Sequence, residues 1–378
     1  MSASSLVQVI QEAQCIVIKV GSNVLVRGTG LDLPFLYTLA EDIHELRQAG
    51  KKVVIVTSGS IATAMVKLAT PARPKALPLK QAYAAVGQLG LMWEYERAFR
   101  VYNIPVAQVL LTKGDLENRK RYLNSHNTFM ALFDLGVIPI VNENDTVATD
   151  EIRFGDNDSL SAMVAGVVNA DVNIILSDID GLYTANPQLE PGATHIALVS
   201  SIDEQVEKMA GNSLSSVGTG GMITKMQAAK ICMNAGIHMI IGCGRGNHAL
   251  RRLMKGKTRG TLFEPSIDAV SAKKRWILQS LTSKGKLVID DGARQALTRK
   301  DASLLPIGVT GVQGRFERGD CVDIVGADGV AVAKGLALYS SDEIVRIKGK
   351  KSTEIEQVLG YTNHDDLVHR DNMVLYNA

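Results

Sequence analysis

Cysteines are few in this sequence, and they form no recognisable motif. The 378 residues include four, all far apart: Cys15, Cys232, Cys243 and Cys321. Because no Cys-x-x-Cys pair occurs, the spacing argues against a zinc site and against a disulfide framework. It favours a reducing compartment.

Long hydrophobic runs are also missing. No apolar run approaches the ~20 residues that a membrane span needs. Residues 1–14 have neither a basic start nor a long apolar stretch, which argues against a secretory signal. We therefore expect a cytoplasmic protein without a membrane partner.

Neither charge sign is in large excess, and aromatic residues are scarce. The chain has 41 basic and 39 acidic residues, a formal net charge of +2, and 5% aromatic residues. It lacks the strongly basic body of a nucleic-acid-binding protein. Its 46% hydrophobic and 21% charged residues are ordinary for a globular protein, which excludes disordered and fibrous classes.

The chain does contain a repeating pattern of short apolar runs and longer amphipathic stretches. Its length predicts two domains. Six runs rich in Val, Ile and Leu are candidate strands, at 15–20, 52–57, 106–111, 137–142, 173–177 and 238–241. Candidate helices lie at 34–49, 79–102, 124–135, 159–170 and 224–235. This alternation predicts an α/β fold with an open, mostly parallel sheet between layers of helices.

Polar residues follow several of the predicted strands. Four such segments are 19–22 (Lys-Val-Gly-Ser), 57–60 (Thr-Ser-Gly-Ser), 142–145 (Asn-Glu-Asn-Asp) and 177–181 (Ser-Asp-Ile-Asp-Gly). Ligands of open α/β sheets lie beyond the carboxyl ends of the strands. Two more clusters, 155–158 and 218–225, precede or open predicted helices, and the second is similar to a phosphate cradle.

Two common nucleotide motifs are absent. Residues 218–225 are not a Walker loop, because Thr224 stands where that motif has glycine and Met226 where it has serine or threonine. Residues 242–247 do not match the dinucleotide fingerprint, because Asn247 occupies the third glycine position.

Each cluster also has a purely structural interpretation, which the residues alone leave open. Glycine and serine often follow strands as plain turns. Asp156, Asn157 or Asp158 either caps the next helix or belongs to a site. Lys19 is either an edge charge or a lysine that faces a site, and Lys225 is either solvated or part of the cradle.

Six of these segments, in this order, resemble the amino acid kinase family. They are 18–22, 56–59, 142–145, 155–158, 180–184 and 218–225. The resemblance covers nearly the whole chain and is strongest to members that phosphorylate L-glutamate. The sequence departs from the family pattern at Ser177, Asn186 and Ile223, all at the nucleotide end.

The pattern changes after about residue 260. We expect an amino acid kinase catalytic domain at 1–263, a linker at 264–284 and a small β-barrel domain at 285–378. Glycine-rich short runs predict strands at 286–289, 309–312, 321–325, 330–338 and 344–347.

The carboxyl-terminal segments 303–306, 314–320 and 369–371 resemble the PUA domain of bacterial members of the family. Other PUA domains bind RNA. Residues 273–378, however, contain 16 basic and 14 acidic residues and few aromatics, which disfavours an RNA-binding surface.

The resemblance implies roles for named residues. It makes Lys19, Lys225 and Asp158 the catalytic group, with Asp158 holding both lysines. It implies an amino-acid pocket formed by Ser58, Gly59, Asp145, Asp156 and Asn157. It implies ATP binding by Lys19, Ser177, Asp178, Thr219, Gly220, Gly221, Met222, Ile223, Thr224 and Lys225.

The resemblance also implies the reaction and its partners. ATP would phosphorylate the γ-carboxylate of L-glutamate to γ-glutamyl phosphate, the first step of proline biosynthesis, with Mg²⁺ accompanying ATP and no protein ligand identified for it. Further expectations are inhibition by proline, a homo-oligomer (dimer or tetramer) and hand-over of the product to glutamyl phosphate reductase. The alternatives are a family member acting on aspartate, acetylglutamate, carbamate or UMP, and an RNA-binding protein led by the PUA domain.

Overall fold

The computed structural model describes residues 4–27, 30–148, 157–211, 221–265, 282–300, 302–362 and 364–376. The chain divides into two compact units, residues 1–269 and 270–378. Most of the predicted linker, at 266–281, falls outside the described residues. In the described part, no helix is both long and apolar enough to cross a membrane.

The first unit is built on an eight-stranded sheet. The described strands of this unit are β1 Cys15–Val20, β2 Val26–Arg27, β3 Gly30–Leu31, β4 Lys52–Val56, β5 Val106–Leu111, β6 Ile138–Glu143, β7 Val172–Ser177, β8 Leu182–Tyr183, β9 His195–Ile196, β10 Leu198–Val199, β11 His238–Cys243 and β12 Gly260–Phe263. Strands β2 and β3 form one separate two-stranded sheet, and β8 and β9 form another. The sheet order is β10-β12-β11-β7-β1-β4-β6-β5, and the strands from β11 to β5 run parallel. The six predicted strands are confirmed to within two residues at each end.

Helices cover both faces of this sheet. They are α1 Ser4–Glu12, α2 Ser22–Leu25, α3 Leu33–Gln48, α4 Ser60–Lys67, α5 Leu77–Arg100, α6 Lys113–Glu117, α7 Arg119–Asp134, α8 Asn157–Val167, α9 Glu204–Gly211, α10 Met222–Asn234 and α11 Ala249–Met254. The helix predicted at 124–135 begins earlier, because the Asn118 side chain accepts a hydrogen bond from the Arg121 N–H and caps it there.

The central strand β1 is buried on both faces. Ile16, Ile18 and Val20 contribute to one hydrophobic core. Cys15 and Val17 contribute to the other, which includes side chains of α8 and α10. Side chains alternate along a strand, so Lys19 lies on the face covered by α8 and α10.

The second unit has a five-stranded sheet with short helices. Its elements are β13 Gly285–Ile289, α12 Asp291–Lys300, β14 Val309–Gly314, β15 Cys321–Gly326, β16 Ala331–Leu336, α13 Ser341–Ile347, α14 Ile355–Leu359 and β17 Met373–Leu375, with 3₁₀ turns at Pro306–Gly308, Ser352–Glu354 and Arg370–Asn372. The strand order in the sheet is β14-β13-β15-β16-β17. The neighbours β13 and β15 are parallel, and the other pairs are antiparallel.

The strand predicted at 344–347 is wrong, because this segment ends helix α13. Ser340 and Glu343 form a capping box, in which each side chain bonds to the backbone N–H of the other residue. Ile344 and Ile347 are both fully buried, and their spacing of three residues places them on one helical face. Strand β17 was not predicted from the sequence.

Helices α4 and α5 pack closely at Gly87. A Cβ atom added at Gly87 would lie 1.7 Å from the carbonyl oxygen of Ser60, the first residue of α4. Backbone atoms cannot yield cheaply at that distance. Gly87 therefore lets α5 fix the position at which α4 begins.

We expect Gly87→Ala to lower the free energy of unfolding of the first unit by at least about 2 kcal/mol, since overpacking outweighs alanine's better helix propensity. Thermal unfolding of the full chain measures this. Gly166→Ala in α8 is the matched control, because its added Cβ meets no atom within 4 Å. Equal melting of both variants would contradict the packing argument.

Candidate active site

Lys19 lies at the carboxyl end of the central strand β1. It pairs in register with Val56 of β4 and Ile175 of β7. Both neighbours are fully buried, and Lys19 itself is only 6% exposed. A lysine so enclosed requires a counter-charge.

Three buried charged side chains meet here. Asp158 lies in the first turn of α8, and Lys225 lies near the start of α10. Asp158 Oδ1 pairs with Lys19 Nζ, and Asp158 Oδ2 lies 3.1 Å from Lys225 Nζ. The Thr224 hydroxyl donates to Oδ2 at 2.9 Å. We call Lys19, Asp158 and Lys225 the Lys-Asp-Lys cluster.

The cluster keeps Asp158 ionised. Burial alone would raise the pKa of Asp158, but the charges of Lys19 and Lys225 outweigh it and hold that pKa well below its usual range. The Asp158 side chain thus binds groups of β1 and α10, which a residue serving only to cap its own helix would not do.

A chain of buried amides fixes the residue before Asp158. Asn157 Nδ2 donates to the Thr57 carbonyl oxygen at 2.6 Å, the Ser58 hydroxyl at 3.0 Å and Asn142 Oδ1 at 2.9 Å. Asn142 Nδ2 in turn donates to Gln88 Oε1 at 2.8 Å. These bonds join the start of α8 to the ends of β4 and β6 and to α5.

A cavity, cavity A, lies on the β4 and β6 side of the cluster. It is lined by Ser22, Ser58, Gly59, Ser60, Ile61, Ala62, Met65, Arg73, Asn142, Glu143, Asp145 and Asn157. Gly59 precedes α4 with φ of 99°, a conformation that favours glycine. No side chain caps α4, so its first N–H groups are available to an anion.

Asp145 is a buried carboxylic acid of cavity A, and the groups that act on it are known. It accepts a hydrogen bond of 3.1 Å from the Ser60 hydroxyl. Burial raises the pKa of Asp145, while the Ser60 hydrogen bond and the charge of Arg73 act in the opposite direction. A cationic ligand group would relieve the cost of this buried carboxylate.

A second cavity, cavity B, lies on the β7 side of the cluster. It is lined by Ser177, Asp178, Ile179, Asp180, Gly181, Leu182, Tyr183, Ala185, Asn186, Pro187, Gln188, Met209, Gly221, Met222 and Lys225. Asp178 accepts hydrogen bonds of 3.1 Å from Asn23 Nδ2 and the Ser177 hydroxyl. They outweigh burial, so the pKa of Asp178 is lowered.

The amino end of α10 opens towards cavity B. Gly221 precedes this helix, and no side chain caps it. The N–H groups of its first turn therefore suit an anion such as a phosphate. Lys225 lines cavity B and belongs to the Lys-Asp-Lys cluster. Asn157, the residue before Asp158, lines cavity A, so the cluster borders both cavities.

The structure brings most of the predicted site residues to one end of the sheet. Ser58, Gly59, Asp145 and Asn157 line cavity A. Ser177, Asp178, Gly221, Met222 and Lys225 line cavity B. The Ile223 side chain is exposed, and Thr224 turns its hydroxyl to Asp158. Asp156, Thr219 and Gly220 fall outside the described residues.

Sequence reasoning missed two parts of this site. Gln88 lies inside a predicted helix, where nothing in the sequence marks its bond to Asn142. Arg73 lies in the segment before that helix and lines cavity A. The sequence Pro-Ala-Arg-Pro at 71–74 could have drawn attention to Arg73, because two prolines this close together indicate a conformationally restricted segment.

We expect Asp158→Asn to destabilise the folded chain by about 3 kcal/mol or more, because two buried lysines lose their counter-charge. The stability difference should be constant above pH 5. It should shrink as the pH falls below about 3.9, the ordinary aspartate pKa. A carboxylate whose pKa is lowered by folding contributes its full stabilisation above the unfolded-state pKa and loses it as the pH falls towards the folded-state pKa.

Denaturant unfolding across this pH range measures the effect. The control is Asp32→Asn at the start of α3, where asparagine caps as well as aspartate. An Asp158→Asn protein as stable as the wild type would refute the electrostatic account of the cluster.

Comparison with known proteins identifies both units. The amino acid kinase family matches residues 14–243, and the PUA domain matches residues 285–359. These matches confirm the predicted amino acid kinase fold and the predicted PUA domain. Among solved structures, UMP kinase from Ureaplasma parvum is similar with a TM-score of 0.48 and 17% identity, over 66% of this chain and 98% of that chain.

Curated relatives match over almost their full length. The glutamate 5-kinase of Geobacter sp. (strain M21) is 47% identical over 97% of this chain and 99% of its own. Those of Syntrophotalea carbinolica and Trichlorobacter lovleyi are 48% and 49% identical, each over 97% of this chain and 98% of their own. The chain is therefore a kinase that belongs to the amino acid kinase family, among the glutamate 5-kinases.

Proposed function

We propose that this enzyme transfers the γ-phosphoryl group of ATP to the γ-carboxylate of L-glutamate, giving ADP and γ-glutamyl phosphate in the first step of proline biosynthesis. The observation that carries the proposal is the buried Lys-Asp-Lys cluster, which borders cavity A and cavity B. Cavity A would hold the amino acid, and cavity B would hold the nucleotide.

The chemistry needs charge compensation and no general base. A glutamate carboxylate is already ionised at neutral pH. Its attack on phosphorus therefore depends on positioning and on stabilising the charge of the transferring group. Two lysines held at fixed positions by Asp158 supply this.

The two lysines would act on different parts of the reacting group, according to where each lies. Lys19, at the end of β1, would contact the oxygens of the transferring phosphoryl group. Lys225, which lines cavity B, would stabilise charge on the leaving side together with the first N–H groups of α10. Asp158 would hold both ammonium groups without touching substrate, and so acts as a positioning residue.

The polar groups of cavity A fit the charges of glutamate. Asp145 and the Asn157 side-chain oxygen would accept from the α-ammonium, with Asp156 a further residue implied by the resemblance. Because Asn157 Nδ2 donates to protein oxygens, its Oδ1 is left for the ligand. Ser58, Gly59 and the first N–H groups of α4 would bind a carboxylate.

Magnesium fits this site as a companion of ATP. Within the described residues, no group of three or more His, Cys, Asp or Glu side chains is placed to hold a metal ion. Mg²⁺ commonly keeps several waters and binds substrate phosphates. Asp178 and Asp180, which both line cavity B, are the carboxylates that would be available to it there.

A direct assay tests the function. The enzyme, ATP, Mg²⁺ and hydroxylamine are incubated with L-glutamate, aspartate, acetylglutamate or bicarbonate with ammonia, since an acyl phosphate is trapped as a hydroxamate. We expect hydroxamate with glutamate and background signal with the others. Background signal with glutamate would reject the proposal, and signal with another acid would name the true substrate.

We expect Lys19→Ala and Lys225→Ala each to lower kcat by on the order of 10²-fold or more, with smaller changes in KM, because both lysines act on transition-state charge. Steady-state kinetics measure this. Lys230→Ala on the same helix α10 is the control, since Lys230 is surface-exposed and pairs with Glu207. Normal kcat in Lys225→Ala would assign that lysine a structural role.

We expect Asp145→Asn to raise the KM for glutamate at least tenfold with a smaller change in the KM for ATP. In the wild type, the KM for glutamate should also rise as the pH is lowered towards the Asp145 pKa, which burial holds above its ordinary value. The variant should lack this acid-side rise. A variant with the wild-type pH profile would show that Asp145 does not bind the ammonium.

We also propose feedback inhibition by L-proline. Proline carries an α-carboxylate like that of glutamate and a secondary α-ammonium in place of its primary one, so it should compete for cavity A and raise the apparent KM for glutamate without lowering kcat. Rates at limiting and saturating glutamate test this, with D-proline as the stereochemical control. A rate independent of L-proline at limiting glutamate would refute the idea.

A further inference from the structure

Tyr95 places a polar group deep in the first unit that the reaction above does not use. Its side chain lies on α5 and is fully buried. The Tyr95 hydroxyl lies 2.9 Å from the Thr57 hydroxyl, its only hydrogen-bond partner among the described residues. Burial raises the pKa of Tyr95 above its ordinary value, so the hydroxyl keeps its proton. The contact with Thr57 therefore has to account for the cost of burying this hydroxyl.

The direction of the hydrogen bond follows from the number of protons. Thr57 Oγ1 also lies 3.2 Å from the Ser58 carbonyl oxygen, which can only accept. Because the Thr57 hydroxyl has one proton and donates it to this carbonyl, it accepts from Tyr95. The reverse order would leave the Tyr95 proton without an acceptor in the described part of the chain, which is costly in a buried site. The chain of donors therefore runs from Tyr95 through Thr57 to the Ser58 carbonyl.

This chain ends at the turn that precedes α4. The Thr57 N–H donates to the Val141 carbonyl oxygen at 2.8 Å, and the Thr57 carbonyl oxygen accepts from Asn157 Nδ2 at 2.6 Å. The next two residues, Ser58 and Gly59, both line cavity A. A rotation of the peptide after Thr57 would move the Ser58 hydroxyl and the first N–H groups of α4. The Tyr95 hydroxyl opposes this rotation, because it fixes the group that holds the Ser58 carbonyl.

Helix α5 makes a second polar contact from the same face. Gln88 and Tyr95 are two turns apart, so they lie on one side of the helix, and both are buried. Gln88 Oε1 accepts from Asn142 near the end of β6, whereas Tyr95 contacts Thr57 directly after β4. The buried face of α5 thus fixes the ends of both strands that border cavity A.

We propose that Tyr95 is a positioning residue for the amino-acid substrate: through Thr57, its hydroxyl holds the turn at 58–59 in the conformation that binds the substrate carboxylate. This inference rests on the proposed function, since it assumes that cavity A holds glutamate. Tyr95 does not line cavity A itself, and it makes no contact with the Lys-Asp-Lys cluster. Loss of its hydroxyl should therefore weaken glutamate and spare the nucleotide.

Four variants of the full chain separate positioning from support of the fold. Tyr95→Phe removes one hydroxyl, Thr57→Val removes the hydroxyl that it bonds to and keeps the branched shape, and Thr57→Ser keeps a hydroxyl there. Tyr122→Phe is the matched control, because the Tyr122 hydroxyl also donates one hydrogen bond, of 3.0 Å, to the Gly166 carbonyl oxygen near the far end of α8. Steady-state kinetics give kcat and both KM values, titration calorimetry gives the Kd of glutamate, and thermal unfolding gives Tm.

We expect Tyr95→Phe and Thr57→Val each to raise the KM and Kd for glutamate by about threefold to tenfold, the range that one ordinary hydrogen bond corresponds to. The KM for ATP should stay within twofold. The double variant Tyr95→Phe/Thr57→Val should be no weaker than the weaker single variant, because both changes break the same chain. Thr57→Ser should match the wild type. Tyr122→Phe should lower Tm and leave glutamate binding within twofold.

Other outcomes overturn the proposal. Unchanged glutamate binding in Tyr95→Phe would leave its hydroxyl a role in stability alone. The same loss of glutamate binding in Tyr122→Phe, or an equal rise in the KM for ATP, would show that lower stability rather than the turn is the cause. Effects that multiply in the double variant would show that Tyr95 does not act through Thr57.

The same measurements distinguish this inference from the proposed function. A wild type that binds glutamate but forms no hydroxamate refutes the proposed function alone, because the Kd values still test Tyr95. A wild type that forms hydroxamate while Tyr95→Phe binds glutamate normally refutes the positioning role alone. A wild type that binds no glutamate refutes both.

Discussion

The ion pairing of one carboxylate with two lysines joins the end of the central strand to the starts of two helices, and both cavities lie beside it. Lys19, Asp158 and Lys225 come from β1, α8 and α10, and all three are buried. Like charges at such close range repel strongly in a medium of low polarity. Asp158 makes the arrangement possible, and the parallel sheet brings the three elements to one edge.

The amide chain of Asn157, Asn142 and Gln88 complements the cluster on the side of cavity A. Asn157 and Asp158 are consecutive, yet one bonds to the ends of β4 and β6 and the other to the lysines. A single turn of α8 therefore sets the position of cavity A relative to the Lys-Asp-Lys cluster. The close contact at Gly87 adds a second constraint, because it fixes where α4 presents its first N–H groups.

The sheet of the first unit was largely predictable, because a parallel strand that is buried on both faces has a nearly continuous hydrophobic sequence. Six short runs of Val, Ile and Leu predicted the sheet, and the polar residues after them predicted the edge at which a site would lie. The structure brings Lys19, Asp158 and Lys225 together there. Their assignment to one site came from the resemblance, because residues 67 positions apart, such as Asp158 and Lys225, show no common pattern in the sequence.

The errors have equally specific causes. Residues 344–347 contain two isoleucines and a valine, which favour a strand, but the capping box of Ser340 and Glu343 starts a helix that continues through them. Gln88 gives no signal, because its role depends on the distance between α5 and β6. Arg73 was not predicted, because a single arginine between two prolines carries no sign of a site in the sequence, and only the structure shows that it lines cavity A.

The cluster also has a consequence for the lifetime of the protein. Two lysines and one aspartate give the cluster a net charge of +1, which favours a phosphate-bearing ligand beside it. Ligands that bind only the folded state stabilise it in proportion to the logarithm of their concentration. Unfolding, and with it exposure to proteolysis, should therefore become less frequent when such a ligand occupies the site.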